Sequence, residues 1–363
     1  MKDTLLRKNA SPLICVVAII GCLLAWHGLA SQPISSVSIK GFFVGERMKF
    51  TEIVDFWRNR IRKVGASTAY QEMVNAGQGL SNNQDHSLAH SFGEALFREK
   101  GLEGFSVCGV DFSYGCYDQF IGTAITQFGP SAMNTLHTKC LEQSKGDLFG
   151  CTHSIGHGVA GFYGYSVDAL NASLAVCDTF GPDKGCADGV FMEYNFRGMA
   201  ISELEQHPIP RSFVEADAFE PCVSIDMRYR NSCVFELPWW WINSLLHKDR
   251  QSLNNAYREA GMFCRKIGNP SELETCFEGI GYYAPQSASL DTSVTRALCT
   301  FASDVPRDRR DCLSSAAARL QEEQQSNFSH SCVLLGLTGG DLTYCEDYVH
   351  ATGDSIGINE SAF

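Results

Sequence analysis

Residues 140–163 run CLEQSKGDLFGCTHSIGHGVAGFY. Cys140 and Cys151 flank a short polar loop, and Cys151 opens a segment with two histidines four positions apart, His153 and His157. Residues i and i+4 share one face of a helix. The segment therefore reads as a helix start that aims two imidazoles at one point. Neutral imidazole is the commonest side-chain metal ligand. The pattern returns upstream as His86 and His90, in a segment without cysteine where Gln84 stands in the place of Cys151.

Working outward, the unit of cysteine, loop, cysteine and helix recurs through most of the chain. Fourteen cysteines fall into seven pairs in chain order: Cys108/Cys116, Cys140/Cys151, Cys177/Cys186, Cys222/Cys233, Cys264/Cys276, Cys299/Cys312 and Cys332/Cys345. Successive second cysteines are 35, 35, 47, 43, 36 and 33 residues apart. A period of this size marks stacked helical repeats. The stretch before each first cysteine and the stretch after each second one both read as helical, with turn-forming residues such as Gly181-Pro-Asp-Lys-Gly185 between them. One helix then ends on a cysteine, the next begins on its partner, and a disulfide pins the corner. Bridged Cα atoms lie about 4.4–6.8 Å apart, which suits two helix ends at a turn. The expected fold is all-α: a curved array, solenoid or toroid-like, of helical repeats over residues 81–350.

The remainder divides into an N-terminal segment over residues 1–30, a segment over 31–80 that caps the array or forms a juxtamembrane stalk, and a loose tail over 351–363. Glu46–Val64 reads as an amphipathic helix with Phe50, Ile53, Val54, Trp57 and Ile61 on one side. Residues 75–83, rich in Gly, Ser and Asn, read as a loop. Lys2, Arg7 and Lys8 precede the apolar run Leu13–Trp26, and Gly28-Leu29-Ala30 follows it. This is the pattern of a secretory signal cleaved after Ala30, or of an anchor if residues 13–30 are retained. A lipobox-like Ile19-Ile20-Gly21-Cys22 is weaker, because the chain stays apolar beyond it. All three readings export residues 31–363, and an even number of cysteines outside this segment agrees with an oxidising compartment. Three glycosylation sequons start at Asn171, Asn327 and Asn359.

Composition narrows the function. The chain is 44% hydrophobic and 19% charged, ordinary for a globular protein. Its net charge of −12 argues against nucleic acid as the partner, since phosphate binding needs a basic face. No Walker loop, dinucleotide fingerprint, His-Glu-x-x-His, Gly-x-Ser-x-Gly or haem-attachment motif occurs.

The second position after each second cysteine carries His153, Asp118, Asp188, Glu278 or Asp347 in five rungs, and His86 occupies the matching place. At about 100° per residue, positions two and six share a face opposite the cysteine. His86, His90, His153 and His157 are thus the predicted metal ligands, for zinc, copper, iron or manganese. Asp118 and Asp188 are predicted as auxiliary ligands or catalytic bases; first-turn acids also serve the helix macrodipole, which is the competing reading. Glu94, eight residues after His86, falls on the same broad face, and Glu193 falls on the cysteine side. A repeated glycine in the first turns, as at Gly156 and Gly189, implies close helix–helix approach, with backbone close to a ligand as the alternative. Of Trp239, Trp240 and Trp241, two are expected in the core, and the cluster otherwise suits an aromatic wall for a sugar, lipid headgroup or peptide.

The expected function is an exported metal-dependent enzyme, hydrolytic or oxidative, acting on a small-molecule, peptide or glycan substrate. A non-catalytic extracytoplasmic scaffold for a peptide or glycan, and a metal storage or delivery protein, are the alternatives. Membrane contact is expected only through the N-terminal segment.

Overall fold

The computed structural model describes residues 49–80, 82–143, 148–180, 184–200, 210–248, 251–324 and 330–356. The expected signal or anchor segment and the sequons at Asn327 and Asn359 lie outside them. Asn171 is exposed on a helix.

The described residues form fifteen α-helices and no strand. In chain order they are α1 (Phe50–Val64), α2 (Ala66–Gly77), α3 (Asn82–Lys100), α4 (Gly115–Phe128), α5 (Ala132–Gln143), α6 (Leu148–Tyr163), α7 (Val167–Cys177) and α8 (Lys184–Phe196). There follow α9 (Arg230–Lys248), α10 (Leu253–Cys264), α11 (Pro270–Ser287), α12 (Thr292–Ala302), α13 (Pro306–Gln324), the short α14 (Ser331–Leu334) and α15 (Gly339–Ile356). Among these residues no helix is long and apolar enough to cross a membrane.

All seven cysteine pairs bond as chain neighbours, with Cα–Cα distances of 5.5 to 6.0 Å. Such a set of bridges is characteristic of an oxidising compartment. Each bridge ties the end of one element to the first turns of the next. α7 and α10 end on Cys177 and Cys264, as the sequence implies. Cys116 and Cys186 lie at the starts of α4 and α8, as expected, but Cys276, Cys312 and Cys345 each lie six residues inside their helices: α11, for example, begins at Pro270. The cause is capping. Asn269 accepts hydrogen bonds from the backbone N–H groups of Ser271 and Glu272, and Pro270 has the fixed φ suited to a first helical position. That local signal sets the start, ahead of the bridge.

The longer helices pack in order, α1 on α3, then α4, α6, α8, α9, α11, α13 and α15, and α15 also touches α6. The shorter α5, α7, α10 and α12 lie against the two long helices that flank them in sequence. α1 buries Val54, Trp57 and Ile61, and Trp57 meets Phe92 of α3 edge-on at 5.5 Å. This is the apolar side expected from Glu46–Val64. Two departures concern boundaries. α2 and α3 leave only residues 78–81 between them where a longer loop is expected, and α15 continues to Ile356, past the expected start of the tail.

Glycine sets the closest crossings. A Cβ on Gly156 of α6 would meet the carbonyl of Cys186 on α8, and one on Gly189 of α8 would meet the carbonyl of His153. The two backbones touch, so α6 and α8 carry His153, His157 and Glu193 into contact. Trp240 and Trp241 are fully buried, and their indole N–H groups donate to the Arg211 and Ala218 carbonyls at 2.8 Å.

Candidate metal centre

His86 and His90 lie in the second and third turns of α3, Asp118 in the first turn of α4, and His153 and His157 on α6. Within each histidine pair the Nε2 atoms face one another, 2.9 Å apart for His86 and His90 and 3.1 Å for His153 and His157. Two nitrogens on one tetrahedral zinc, at about 2.0–2.1 Å each, lie roughly 3.3–3.4 Å apart, slightly wider than either pair. Asp118 Oδ2 is 3.7 Å from Nε2 of both His86 and His90. The ligand atoms of these three residues all lie within 4.8 Å of one another. His153 and His157 fall outside this group of three; they interact electrostatically with Asp118 and line the same cavity as His86 and Asp118. Ser154 Oγ, 2.6 Å from Asp118 Oδ1, links that carboxylate to α6.

Asp188 stands apart from this ligand group. It is buried on α8, and its charge acts on Glu236 of α9. Glu94 turns to Arg98 at 2.6 Å and to Gln119.

Partners on the far side of two rings set their tautomers. His86 Nδ1 is 2.8 Å from the Phe112 carbonyl, and His157 Nδ1 is 3.0 Å from Glu193 Oε2. A carbonyl and a carboxylate only accept, so Nδ1 carries the proton in each ring and Nε2 offers its lone pair to the cluster. Glu193 is fully buried, and its other oxygen accepts from Tyr165 OH at 2.6 Å and from the Met199 N–H at 2.9 Å. Phe112 belongs to a turn in which three successive non-glycine residues, Phe112, Ser113 and Tyr114, have φ of 56°, 53° and 63°. Left-handed backbone costs such residues about 1–2 kcal/mol each. Contacts hold the turn in place: the Phe112 carbonyl meets His86, and Ser113 Oγ accepts from Arg319 of α13 at 2.9 Å.

Burial, then the neighbouring His90, lowers the His86 pKa to about 4, and burial, then His157, lowers that of His153 to about 3. Both rings are neutral near pH 7, the form that ligates a metal. Burial acts to raise the Asp118 pKa, but the His90 hydrogen bond and the charges of His157 and His86 outweigh it. Its carboxylate therefore stays ionised well below the usual range. For His157, burial acts downward while the bond to Glu193 and the charge of Asp118 prevail, so its pKa is raised.

The cluster forms one wall of a cavity of about 140 Å³, lined on that side by His86, Asp118, His153 and His157. The far wall comes from α9, α11 and α13, with Trp239, Tyr282, Tyr283, Glu236, Arg319 and Glu322. Of these only Trp239 belongs to a cluster that stands out in the sequence. Arg319 reaches the site from more than 200 positions away, and no local pattern marks it. Glu193, seven residues after Cys186, is assigned by helical phase to the cysteine side and so away from the site; the structure buries it there against His157. α8 is packed against both α6 and α9, so its cysteine side is interior too.

The chain matches no protein-family model, and neither curated proteins nor solved structures include a significant match.

Proposed function

We propose that this protein is an exported metal-dependent enzyme whose divalent transition ion is held by His86, His90 and Asp118, with His153 and His157 completing the set from the facing helix. One observation carries the reading: the Nε2 lone pairs of His86 and His157, each fixed by an outer partner, lie beside Nε2 of His90 and His153 and near one ionised carboxylate at the wall of a cavity. A purely structural polar cluster needs neither the cavity nor the two matched tautomers. Bound there, the ion would supply Lewis acidity or redox chemistry. The protein's own part is to hold His86 and His153 neutral and Asp118 ionised, with Glu193 and the Phe112 carbonyl orienting the His157 and His86 rings and the aromatic far wall receiving the substrate. Zinc, which has no redox chemistry, would restrict the site to hydrolysis, whereas copper, iron or manganese would also allow oxidation.

Export is supported by the seven bridges and by the basic-then-apolar start of the chain. The test is metal content by elemental analysis, followed by hydrolase or oxidase screening matched to the ion found. A His86→Ala variant that binds each added ion as tightly as the native protein would refute the ligand assignment.

A further inference from the structure

The wall opposite the histidines has its own chemistry. Trp57, Trp240 and Trp241 are fully buried, whereas Trp239 is half-buried and lines the cavity. Its ring lies nearly parallel to Tyr283, with centroids 4.9 Å apart and an interplanar angle of 10°, which holds the indole rigid. Tyr283 OH in turn donates to Glu236 Oε2 at 2.8 Å. Beside it, Arg319 Nη1 lies 2.7 Å from Tyr282 OH and 3.0 Å from Glu322 Oε2, and Tyr282 OH lies 3.0 Å from the same carboxylate.

The charges on this wall cancel. Arg319 is matched by Glu322. Burial, then the charge of Asp188, raises the Glu236 pKa well above the ordinary value, which favours its protonated form, able to donate as well as accept. An anionic ligand would find its cation already paired, and an ammonium ligand would meet Arg319 at the aromatic surface. A neutral ring with an apolar C–H face and several hydroxyls fits both parts of the wall. Its face covers the indole, and its hydroxyls exchange hydrogen bonds with planar acid and guanidinium groups.

We infer that the cavity binds a neutral sugar ring, stacked on Trp239 and hydrogen-bonded by Glu236 and the Arg319–Glu322 pair. The inference rests on the site proposed above and names its substrate class, from side chains other than the proposed metal ligands. The ring belongs either to a free monosaccharide or to the end unit of a glycan.

The test titrates the full chain, metal-stripped and metal-loaded, with methyl glycosides of glucose, galactose, mannose, xylose and N-acetylglucosamine and with a trisaccharide of each. Glucuronate, benzoate and choline serve as charged comparisons. Calorimetry gives affinity, and tryptophan fluorescence reports on Trp239. The expected result is saturable binding of at least one neutral glycoside with a change in emission. Trp239→Ala should weaken it about tenfold and Tyr282→Phe several-fold, with metal content unchanged in both. Tighter binding of the trisaccharide identifies a glycan end, and equal binding a free sugar. Absence of neutral glycoside binding in both forms of the protein, or binding of benzoate or choline alone, overturns the inference. A protein that binds sugar but never metal would refute the metal reading and leave this one standing.

Discussion

Glu193 does more for the centre than its distance from the predicted ligands implies. It is fully buried and holds the His157 Nδ1 proton at 3.0 Å, so the Nε2 lone pair stays directed at His153. Carboxylates in this outer position typically change metal affinity by about 10–100-fold when altered. Glu193→Gln should therefore weaken binding by about that factor while the fold survives, as read by chelator competition and circular dichroism. Glu236 makes a prediction of a different kind. Its folded pKa is raised by burial and by Asp188, so between the unfolded value and the folded one the native state keeps a proton that the unfolded state releases. Stability then falls as pH rises through that window. Glu236→Gln removes the penalty: its melting temperature should exceed that of the native protein at pH 8 and match it near pH 4. An equal shift at both pH values would mean that Glu236 is ionised in the fold. The histidine pairs were legible in the sequence because i and i+4 is a local rule. Glu193 was not, because its side of α8 is decided by which helix covers it.

At the scale of elements, crossings rather than propensities position the ligands. Glycine inside a helix costs up to about 1 kcal/mol relative to alanine. Gly156→Ala would recover that amount if the space were open, but the new Cβ would meet the Cys186 carbonyl and crowd the backbone of Val190. Overpacking of this kind costs about 1–3 kcal/mol, so the sign reverses. Gly156→Ala should lower stability and metal affinity together, since it pushes α6 from α8 and His157 from Glu193. Gly268→Ala is the control, because nothing lies within 4 Å of its Cβ. Equal effects of the two substitutions in thermal melts would refute the crossing argument. Helix order and corner positions were readable from cysteine spacing. Helix starts were not, because caps such as Asn269 act several residues ahead of the bridge.

Across the whole molecule, seven short-range bridges staple a body that already has a large core. Closing a loop of about ten residues contributes roughly 2–3 kcal/mol in the chain-entropy view. Alkylation of the denatured, unreduced protein should label none of the fourteen cysteines from Cys108 to Cys345, and reduction should expose all of them and lower the melting temperature. Mass mapping that finds a free thiol or a crossed pair among them would contradict the corner arrangement. The far wall was the least legible part of the site. Arg319 meets Ser113 across 206 positions, and the turn that presents Ser113 is left-handed at three non-glycine residues, which no propensity indicates.

The central claim is one ion at the junction of α3, α4 and α6. Elemental analysis of the purified, oxidised protein, beside His86→Ala and the double variant His153→Ala/His157→Ala, tests it most directly. The expected result is stoichiometric zinc, copper, iron or manganese in the native protein and its loss from both variants, whose helical spectra remain native. No bound metal in the native protein, even after each ion is added back, would contradict it and leave the histidines as a structural cluster.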